Sequence, residues 1–308
     1  MDKISAPISL ETGNESMPQF AVYGKTFPSG GTRQVAAVVC GLRALGVEMA
    51  VERGFADFLV AEGNANAVDG LACFDVCPDE TAIALSIGGD GTILRTAAQL
   101  GGRQIPILGI NTGRLGFLAD ITPDQMAHAL TLLAKGEYSI SNRSLIEVVV
   151  ENEELGVYPF ALNEIAVLKH DNSSLIEVET HVDGELLTNY LADGLIVSTP
   201  TGSTGYSLSV GGPILSPDSP TFCLAPVAPH SLTMRPVILS DAVNITLKVH
   251  SRSGRFLLAI DGRSVSLPEG CTIRLRKADY YVSVIKTAGN DFFHTLRGKM
   301  MWGVDQRV

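Results

Sequence analysis

The stretch TAIALSIGGDGTILRTAAQL, residues 81–100, decides the fold class of the first half of this 308-residue chain. Its apolar beginning predicts a buried strand, and a helical pattern follows the GGDGT motif at 88–92. Glycines between a strand and a helix leave backbone N–H groups open to a phosphate. Because a carboxylate repels phosphate, Asp90 needs a task of its own: accepting a proton from a hydroxyl, holding a metal, or shaping the turn.

The GGDGT motif also has a purely structural interpretation, in which the glycines make a tight turn and Thr92 caps the helix. The two common nucleotide fingerprints, Gly-x-Gly-x-x-Gly and Gly-x-x-x-x-Gly-Lys-Ser/Thr, are absent from the chain. On the motif alone, the structural and the functional interpretations are equally favoured.

Strand and helix signals alternate on either side of this stretch. QFAVYG (19–24) and IPILGINTG (105–113) predict strands, whereas TRQVAAVVCGLRALG (32–46) and PDQMAHALTLLAKG (123–136) predict helices. Near-continuous apolar strands that alternate with helices are typical of a mostly parallel sheet covered on both faces. We therefore expect an α/β domain over residues 18–142.

The pattern changes near residue 140. Short runs rich in Val, Ile and Thr follow, and Asp183-Gly184 and Asp261-Gly262 separate alternating segments as hairpin turns do. These runs predict an all-β, sandwich-like domain over residues 143–278. The alternation is lost from Asp279, so we expect a C-terminal segment, 279–308, that packs back on the first domain.

Composition narrows the class of protein and of partner. The net charge is −10 and the Lys and Arg residues are scattered, which argues against nucleic acid or an anionic membrane as the main partner. The N-terminus lacks the apolar core of a signal peptide, and no segment has the roughly 20 apolar residues that span a bilayer. Five cysteines without a second pair at zinc spacing indicate reduced, structural thiols, so we expect a cytoplasmic protein.

A second stretch, LADGLIVSTPTGSTGYSLSVGGPIL (191–215), favours a binding function. Its run from Thr199 to Tyr206 offers many backbone and hydroxyl donors and few bulky side chains. Such a surface suits a phosphate or a flat ring. A flexible loop without a task is the less favoured interpretation, because the run directly follows a buried strand.

The polar pair Asn163-Glu164 lies inside the apolar run FALNEIAVL (160–168). Neighbouring strand residues point to opposite faces, so at least one of the two side chains faces an apolar layer. An unpaired buried polar group costs several kcal/mol, on the order of 2–7. Either the strand is at an edge of its sheet, or the pair meets a polar ligand such as a ribose diol.

Five segments, taken in order, resemble the NAD kinase family, whose members convert NAD to NADP with ATP. They are SIGGDGTILRTA (86–97), NTGRLGFL (111–118), Asn163-Glu164, DGLIVSTPTGSTGYSLSVGGP (193–213) and HSLTMRPVIL (230–239). The resemblance spans roughly residues 80–265. Lipid kinases and phosphofructokinases share the glycine motif, but its combination with the second stretch is highly specific.

The resemblance implies an α/β domain and a β-sandwich domain that hold NAD between them, with Asp90 accepting the proton of the 2′-hydroxyl of the adenosine ribose. It further implies that NAD is bound by Asp90, Gly91, Arg95, Phe117, Asn163, Glu164, Asp193, Thr204, Gly205, Tyr206, Ser207, Leu208 and Ser209. For the ATP phosphates we expect the loop residues Gly88, Gly89, Gly91, Thr92, Thr201, Gly202 and Ser203.

The resemblance also implies a divalent metal, Mg²⁺ or Mn²⁺, and a homo-oligomer, a dimer or a tetramer. Few free carboxylates lie near the motifs, so we expect the triphosphate to hold the metal and name no protein ligand. Two positions depart from the family pattern. Gly205 stands where Ala is common, which we expect to be harmless, and Arg263 stands where Gln is frequent, which leaves the contact of that Gln open.

Three rival functions remain open at this point. A lipid or sugar kinase would share the glycine motif and phosphorylate another acceptor. A non-catalytic NAD(P)-binding regulator would bind NAD without forming NADP, although such a protein would more naturally have lost Asp90. A redox dehydrogenase is the least favoured, because the dinucleotide fingerprint is missing.

Overall fold

The computed structural model describes residues 19–26, 31–113, 116–171, 174–287 and 291–301. Arg114 and Leu115 of the NTGRLGFL segment lie outside the described residues. The chain divides into two compact units. The first contains the described residues of Met1–Ser141 and Ser283–Val308, and the second is Asn142–Val282.

Seventeen strands and six α-helices make up the described part of the chain. The strands are β1 (Gln19–Gly24), β2 (Met49–Glu52), β3 (Ala72–Phe74), β4 (Thr81–Gly88), β5 (Ile107–Asn111), β6 (Tyr138–Val150), β7 (Phe160–Ala161), β8 (Glu164–Lys169), β9 (Ile176–Val182), β10 (Glu185–Ala192), β11 (Gly194–Ser198), β12 (Thr221–Val227), β13 (Val237–Ser240), β14 (Ile245–His250), β15 (Arg255–Ile260), β16 (Arg263–Pro268) and β17 (Thr272–Thr287). The helices are α1 (Thr32–Ala44), α2 (Arg53–Ala61), α3 (Asp90–Leu100), α4 (Met126–Ala134), α5 (Tyr206–Ser209) and α6 (Phe292–Met300). Single 3₁₀ turns lie at Ala65–Ala67, Pro123–Gln125 and Thr201–Thr204.

The first unit is built on a parallel sheet, as the sequence predicts. Its strand order is β5-β4-β1-β2-β3, and each of these neighbouring pairs is parallel. The end of β17 adds a further parallel partner, because Val284 pairs with Ile107 of β5. Strands β2 and β3 and helix α2 lie between α1 and β4, where the sequence pattern predicts no element.

The side chains of β4 show why helices cover both faces of this sheet. Ile83, Leu85 and Ile87 belong to the main apolar cluster, which α1, α2 and α4 complete. Ser86 points to the opposite face, because successive strand residues alternate, and there its hydroxyl accepts from Thr96 of α3 at 3.2 Å. Helix α3 therefore covers the face of the sheet opposite the main apolar cluster.

The second unit is an antiparallel β-sandwich, which confirms the predicted class. One sheet has the order β13-β12-β11-β8-β15-β16, and β10, β9, β14 and β17 pair in a second group. A fully buried apolar cluster of Val, Ile, Leu and Phe side chains fills the unit. Both predicted hairpin turns are confirmed, with φ of 49° and 87° at Asp183-Gly184 and 46° and 79° at Asp261-Gly262. Two successive positive φ angles are those of a type I′ turn.

The C-terminal part of the chain differs from the sequence-based expectation. β17 continues as one strand of 16 residues from Thr272 to Thr287, so residue 278, the expected end of the β region, lies inside a strand. Charged residues on its exposed side interrupt the apolar alternation without ending the strand. Helix α6 follows, and the Asp291 carboxylate caps it by accepting from the His294 N–H at 2.6 Å.

Two further expectations concern membrane-spanning helices and the state of the cysteines. None of the described helices is long and apolar enough to cross a membrane. All five cysteines are free thiols, and Cys77 and Cys223 are buried, as expected for structural cysteines.

Candidate functional site

Asp90 is the first residue of α3, directly after the buried strand β4, and its carboxylate holds a neighbouring loop. Its Oδ2 accepts the backbone N–H of Phe117 at 2.8 Å, and its Oδ1 accepts those of Leu118 and Ala119 at 3.0 Å each. The helix dipole favours a carboxylate at this position, because the N-terminal end of a helix carries partial positive charge. We call residues 116–120 the Asp90 loop.

Glycine and asparagine shape the Asp90 loop. A Cβ at Gly116 would lie 2.0 Å from the Asp90 Oδ1, so only glycine allows this approach. At the end of β5, the Asn111 side chain donates to the Ala119 carbonyl at 3.0 Å and accepts from the Gly113 N–H at 2.8 Å. Asn111 and Gly116 belong to the NTGRLGFL segment, which explains part of that motif as loop structure.

A buried ion pair fixes the far end of the Asp90 loop. The Lys286 Nζ on β17 lies 2.5 Å from the Asp120 Oδ2 and 3.4 Å from the Leu118 carbonyl. Burial raises the pKa of the Asp120 carboxyl, and the charge of Lys286 opposes that rise. Removal of either partner would leave an uncompensated buried charge.

Helix α6 brings a lysine and a phenylalanine to the same loop. The Lys299 Nζ lies 3.5 Å from the Asp90 Oδ2 and 4.6 Å from the centre of the Phe117 ring. The Phe292 ring packs against Phe117 with a centroid distance of 6.2 Å. Sequence reasoning missed Lys299, because nothing in the local pattern of α6 indicates which residues it contacts.

The glycines of the GGDGT motif divide into two kinds. A Cβ at Gly88 would meet the Thr92 Oγ1 at 2.2 Å, so this glycine is required by packing. At Gly89 and Gly91 a Cβ would enter open space. The suggestion that Thr92 caps the helix is wrong: α3 begins at Asp90, its N-cap is Gly89, and Thr92 is buried inside the first turn.

Arg95, one of the expected NAD contacts, is directed to the end of β1. Its guanidinium donates to the Gly24 carbonyl and to the Thr26 hydroxyl. Burial lowers the pKa of Arg95, while the charge of Glu52 raises it. In this conformation the arginine is engaged by the protein.

In the second unit, Asp261 holds a bend much as Asp90 holds its loop. Its Oδ2 accepts the N–H of Leu162 at 2.7 Å, and its Oδ1 accepts those of Asn163 and Glu164 at 2.8 and 3.0 Å. Burial raises the pKa of the Asp261 carboxyl, and these N–H groups oppose the rise. The sequence identified Asp261 only as a turn residue.

Glu164 opens β8, which lies between β11 and β15 and is therefore not an edge strand. Its Oε2 is buried without a hydrogen-bond partner, and its carboxyl accepts from the Tyr206 backbone N–H. Burial, followed by the charge of Asp261, raises the pKa of Glu164 to about 7. Asn163 lies in the bend before the strand, so the alternation of side chains between the two faces of a strand does not extend to it.

Several hydroxyls of the glycine-rich stretch donate to backbone carbonyls of the protein. Thr199 donates to the Leu162 carbonyl at 2.6 Å, Ser203 to the Pro200 carbonyl at 2.7 Å, and Thr204 to the Thr201 carbonyl at 3.4 Å. A Cβ at Gly202 would meet the Asn163 carbonyl at 2.1 Å, so this turn packs directly on the bend. Thr201, Gly202, Ser203 and Ser207 are buried, whereas Tyr206 and Ser209 are exposed and Thr204 and Leu208 are half-buried.

The structure also shows the contacts of Gly205, Arg263 and Asp193, three positions considered in the sequence. A Cβ at Gly205 would lie 2.8 Å from the Glu164 Oε2, so an alanine at this position would require the carboxylate to shift. Arg263 donates to the Phe160 carbonyl at 2.8 Å and lies 5.5 Å over the Tyr158 ring. Asp193 forms an ion pair with Lys169 at 2.7 Å.

A metal held by the protein alone has no support in the donor set. Among residues 19–26, 31–113, 116–171, 174–287 and 291–301, no three His, Cys, Asp or Glu side chains come together as a metal site. The described side chains therefore do not fit a metal ion that the protein alone would hold.

Comparison with known protein families identifies the chain. Residues 66–138 match the ATP-NAD kinase N-terminal domain, and residues 162–287 match the ATP-NAD kinase C-terminal domain. The chain belongs to the ATP-NAD kinase family. It is therefore an enzyme, a phosphotransferase, and the two matches include Asp90 in one unit and Asn163, Glu164 and Asp261 in the other.

Individual relatives cover nearly the whole chain. It is 46% identical to the NAD kinase of Bacteroides fragilis over 291 residues. The aligned region covers 94% of this chain and 100% of the relative. The NAD kinase of Porphyromonas gingivalis is 41% identical, again over 94% of this chain and 100% of the relative.

Two solved structures share the fold. The NAD kinase of Archaeoglobus fulgidus in complex with ATP superposes with a TM-score of 0.69 and 29% identity, covering 92% of this chain and 98% of that one. Yeast NADH kinase complexed with NADH has a TM-score of 0.80 at 24% identity, covering 96% and 91%.

Proposed function

We propose that this NAD kinase transfers the γ-phosphoryl group of ATP to the 2′-hydroxyl of the adenosine ribose of NAD, with Asp90 as the general base. The observation that carries the proposal is the placement of Asp90. Its carboxylate starts α3 beside Gly89 and Gly91, whose Cα positions face open space. The family matches and the ATP complex of the Archaeoglobus fulgidus relative support ATP as the donor.

In the proposed step, a bond forms between the ribose 2′-oxygen and the γ-phosphorus. The bond from the γ-phosphorus to the β–γ bridging oxygen breaks, and ADP leaves with that electron pair. The hydroxyl proton passes to Asp90. The Oδ2 of Asp90 is the better acceptor, because it takes one backbone N–H whereas Oδ1 takes two. General-base assistance of this kind is typically worth about 10²- to 10⁴-fold in rate.

We propose that the bend at residues 162–164 binds the adenosine ribose. The Glu164 Oε2 is buried without a partner, and an unsatisfied buried oxygen is costly. A ribose hydroxyl that donates to this oxygen would remove that cost. The exposed and half-buried residues Asp193, Thr204, Gly205, Tyr206, Leu208 and Ser209, with Asn163, Gly91 and Phe117, complete the proposed NAD contacts.

Four residues that were expected to contact ATP or NAD are proposed to have a structural role instead. The Ser203 hydroxyl and the Gly202 N–H bind within the glycine-rich turn, and Ser207 is fully buried. We therefore propose that Thr201, Gly202, Ser203 and Ser207 shape the turn. The phosphate role is kept for Gly89 and Gly91. A divalent ion would enter with the triphosphate and would help to neutralise its charge.

The test is an assay of the purified protein with NAD, ATP and Mg²⁺, in which NADP is measured with an NADP-specific dehydrogenase and ADP is measured separately. We expect equal amounts of NADP and ADP, with a ³¹P signal for a 2′-phosphate. Phosphorylation of sphingosine, diacylglycerol or a sugar in place of NAD would overturn the proposal and support the rival kinases.

A further inference from the structure

The proposed reaction leaves an electrostatic problem at Asp90. Phosphoryl transfer depends mainly on positioning and on neutralising the charge of the moving group, yet Asp90 adds a negative charge beside it. Arg95, on the same helix as Asp90, is one candidate for the compensating cation. In the structure Arg95 donates to the Gly24 carbonyl and the Thr26 hydroxyl instead.

Lys299, near the end of α6, lies where such a cation is needed. Its Nζ is 3.5 Å from the Asp90 Oδ2, the oxygen that takes only one backbone N–H. This separation is an ion pair rather than a close hydrogen bond, so the ammonium donors are not committed to the carboxylate. The side chains of Lys299 and Asp90 are 33% and 27% exposed, so solvent-sized groups reach both.

The ring of Phe117 fixes the direction of this lysine. The Nζ lies 4.6 Å from the ring centre, within the range of a cation–π contact, and Phe292 of α6 packs on the same ring. Phe117 is itself held by its N–H to Asp90. The aromatic contact, the helix and the carboxylate therefore direct the ammonium to the N-terminal end of α3.

A plain interpretation is that Lys299 is an ordinary basic residue in the last turn of a helix, where the dipole favours cations. Arg297 satisfies that description equally well, since it lies in the same turn and is exposed. Only Lys299 of the two has a described ion pair with Asp90. Arg297 is thus a matched control for a merely surface role.

We infer that Lys299 is a catalytic residue that donates to the phosphoryl group of ATP during its transfer. This inference rests on the proposed function of Asp90. The ammonium keeps its proton throughout. It offsets the negative charges of Asp90 and of the phosphoryl oxygens, so that both can lie at the same end of α3. Lysine suits this role, because its compact charge with three donors is a common phosphate ligand.

The test compares Lys299→Met, Lys299→Arg and Arg297→Met by steady-state kinetics in ATP and in NAD separately. We expect Lys299→Met to lower kcat/KM for ATP by about 10- to 100-fold, the loss of one charged hydrogen bond. The KM for NAD should stay within about twofold, Lys299→Arg should recover most of the loss, and Arg297→Met should match the wild type. A thermal melt of each variant reports folding.

The result that overturns the inference is Lys299→Met with wild-type kinetics in ATP. A second such result is a loss of activity that arginine does not recover and that accompanies a lower melting temperature, since this marks a structural role. Either outcome leaves the proposed function intact as long as the wild type forms NADP. Failure of the proposed function shows itself separately, as a wild type that forms no NADP.

Discussion

Two aspartates in different units make the same set of hydrogen bonds. Asp90 accepts the three successive N–H groups of residues 117–119, and Asp261 accepts those of residues 162–164. In both cases Oδ1 takes two N–H groups and Oδ2 takes one. The backbone contacts of the two carboxylates are therefore nearly interchangeable.

Their surroundings differ. Asp90 begins a helix of 11 residues, its side chain is 27% exposed, and the ammonium of Lys299 lies 3.5 Å away. Asp261 occupies a hairpin turn at a φ of 46°, where burial raises its pKa and its charge raises the pKa of Glu164 in turn. Both aspartates hold backbone through three N–H contacts, whereas the second oxygen of Asp90 is also reached by solvent and lies beside a cation, as the proposed proton transfer requires.

The largest stability effect should follow from removing the Asp261 clamp. Asp261→Ala leaves three N–H groups of the bend without their acceptor, and we expect the free energy of unfolding to fall by about 2–4 kcal/mol. Asp183→Ala is the matched control, because Asp183 occupies the other type I′ hairpin at a φ of 49° and is exposed. Urea denaturation measures both. Equal losses in the two variants would show that turn strain, rather than the clamp, accounts for the effect.

The second prediction concerns Glu164 and the pH dependence of the free energy of unfolding. The pKa of Glu164 is raised from 4.5 to about 7, so the folded state keeps a proton that the unfolded state loses between those values. Its stabilising contribution is present below pH 4.5 and is lost as the pH rises to 7. Relative to Glu164→Gln, the wild type should lose about 1–3 kcal/mol across this window.

Unfolding in urea at several pH values measures this difference. Glu185→Gln is the control, since Glu185 is exposed on β10. Parallel pH profiles for the wild type and Glu164→Gln would contradict the burial of an uncharged Glu164.

The smallest expected effect concerns Gly91, the residue that follows Asp90 and whose Cα faces open space. A Cβ at Gly91 meets no protein atom within 4 Å, and alanine in a helix is favoured over glycine by up to about 1 kcal/mol. Gly91→Ala should therefore keep or raise stability, whereas kcat/KM for ATP should fall about tenfold if the donor phosphates approach this backbone as proposed. Gly102→Ala, just beyond the other end of α3 and equally open, should leave both unchanged. Equal activity in the two variants would remove the phosphates from this position.

The fold was predictable where apolar periodicity is strong. β4, α3 and the type I′ hairpins follow from local pattern and turn chemistry, because buried strands and Asp-Gly turns have few alternatives. β17 was predicted too short, since the charged residues on its exposed side hide a strand that its neighbours hold in place. Tertiary pairing overrides local composition at such positions.

The sequence motifs predict candidate site residues but not the contacts that these residues make. The motifs contain Asp90, Asn163 and Glu164, but Lys299 and Lys286 reach the Asp90 loop from the far end of the chain, which no local spacing reveals. The hydroxyls of Thr199 and Ser203 resembled ligand donors. Ser and Thr bind backbone carbonyls as readily. Here Ser203 donates to the Pro200 carbonyl of its own turn, and Thr199 donates to the Leu162 carbonyl of the bend.

The most direct test of the claim that Asp90 accepts the proton is the turnover of Asp90→Asn, measured together with its affinity for NAD. The amide oxygen still accepts from Leu118 and Ala119, so the loop keeps two of its three contacts. We predict that kcat falls by about 10²- to 10⁴-fold while the Kd for NAD stays within a few-fold. Wild-type turnover in Asp90→Asn would contradict the account and leave Asp90 as a clamp like Asp261.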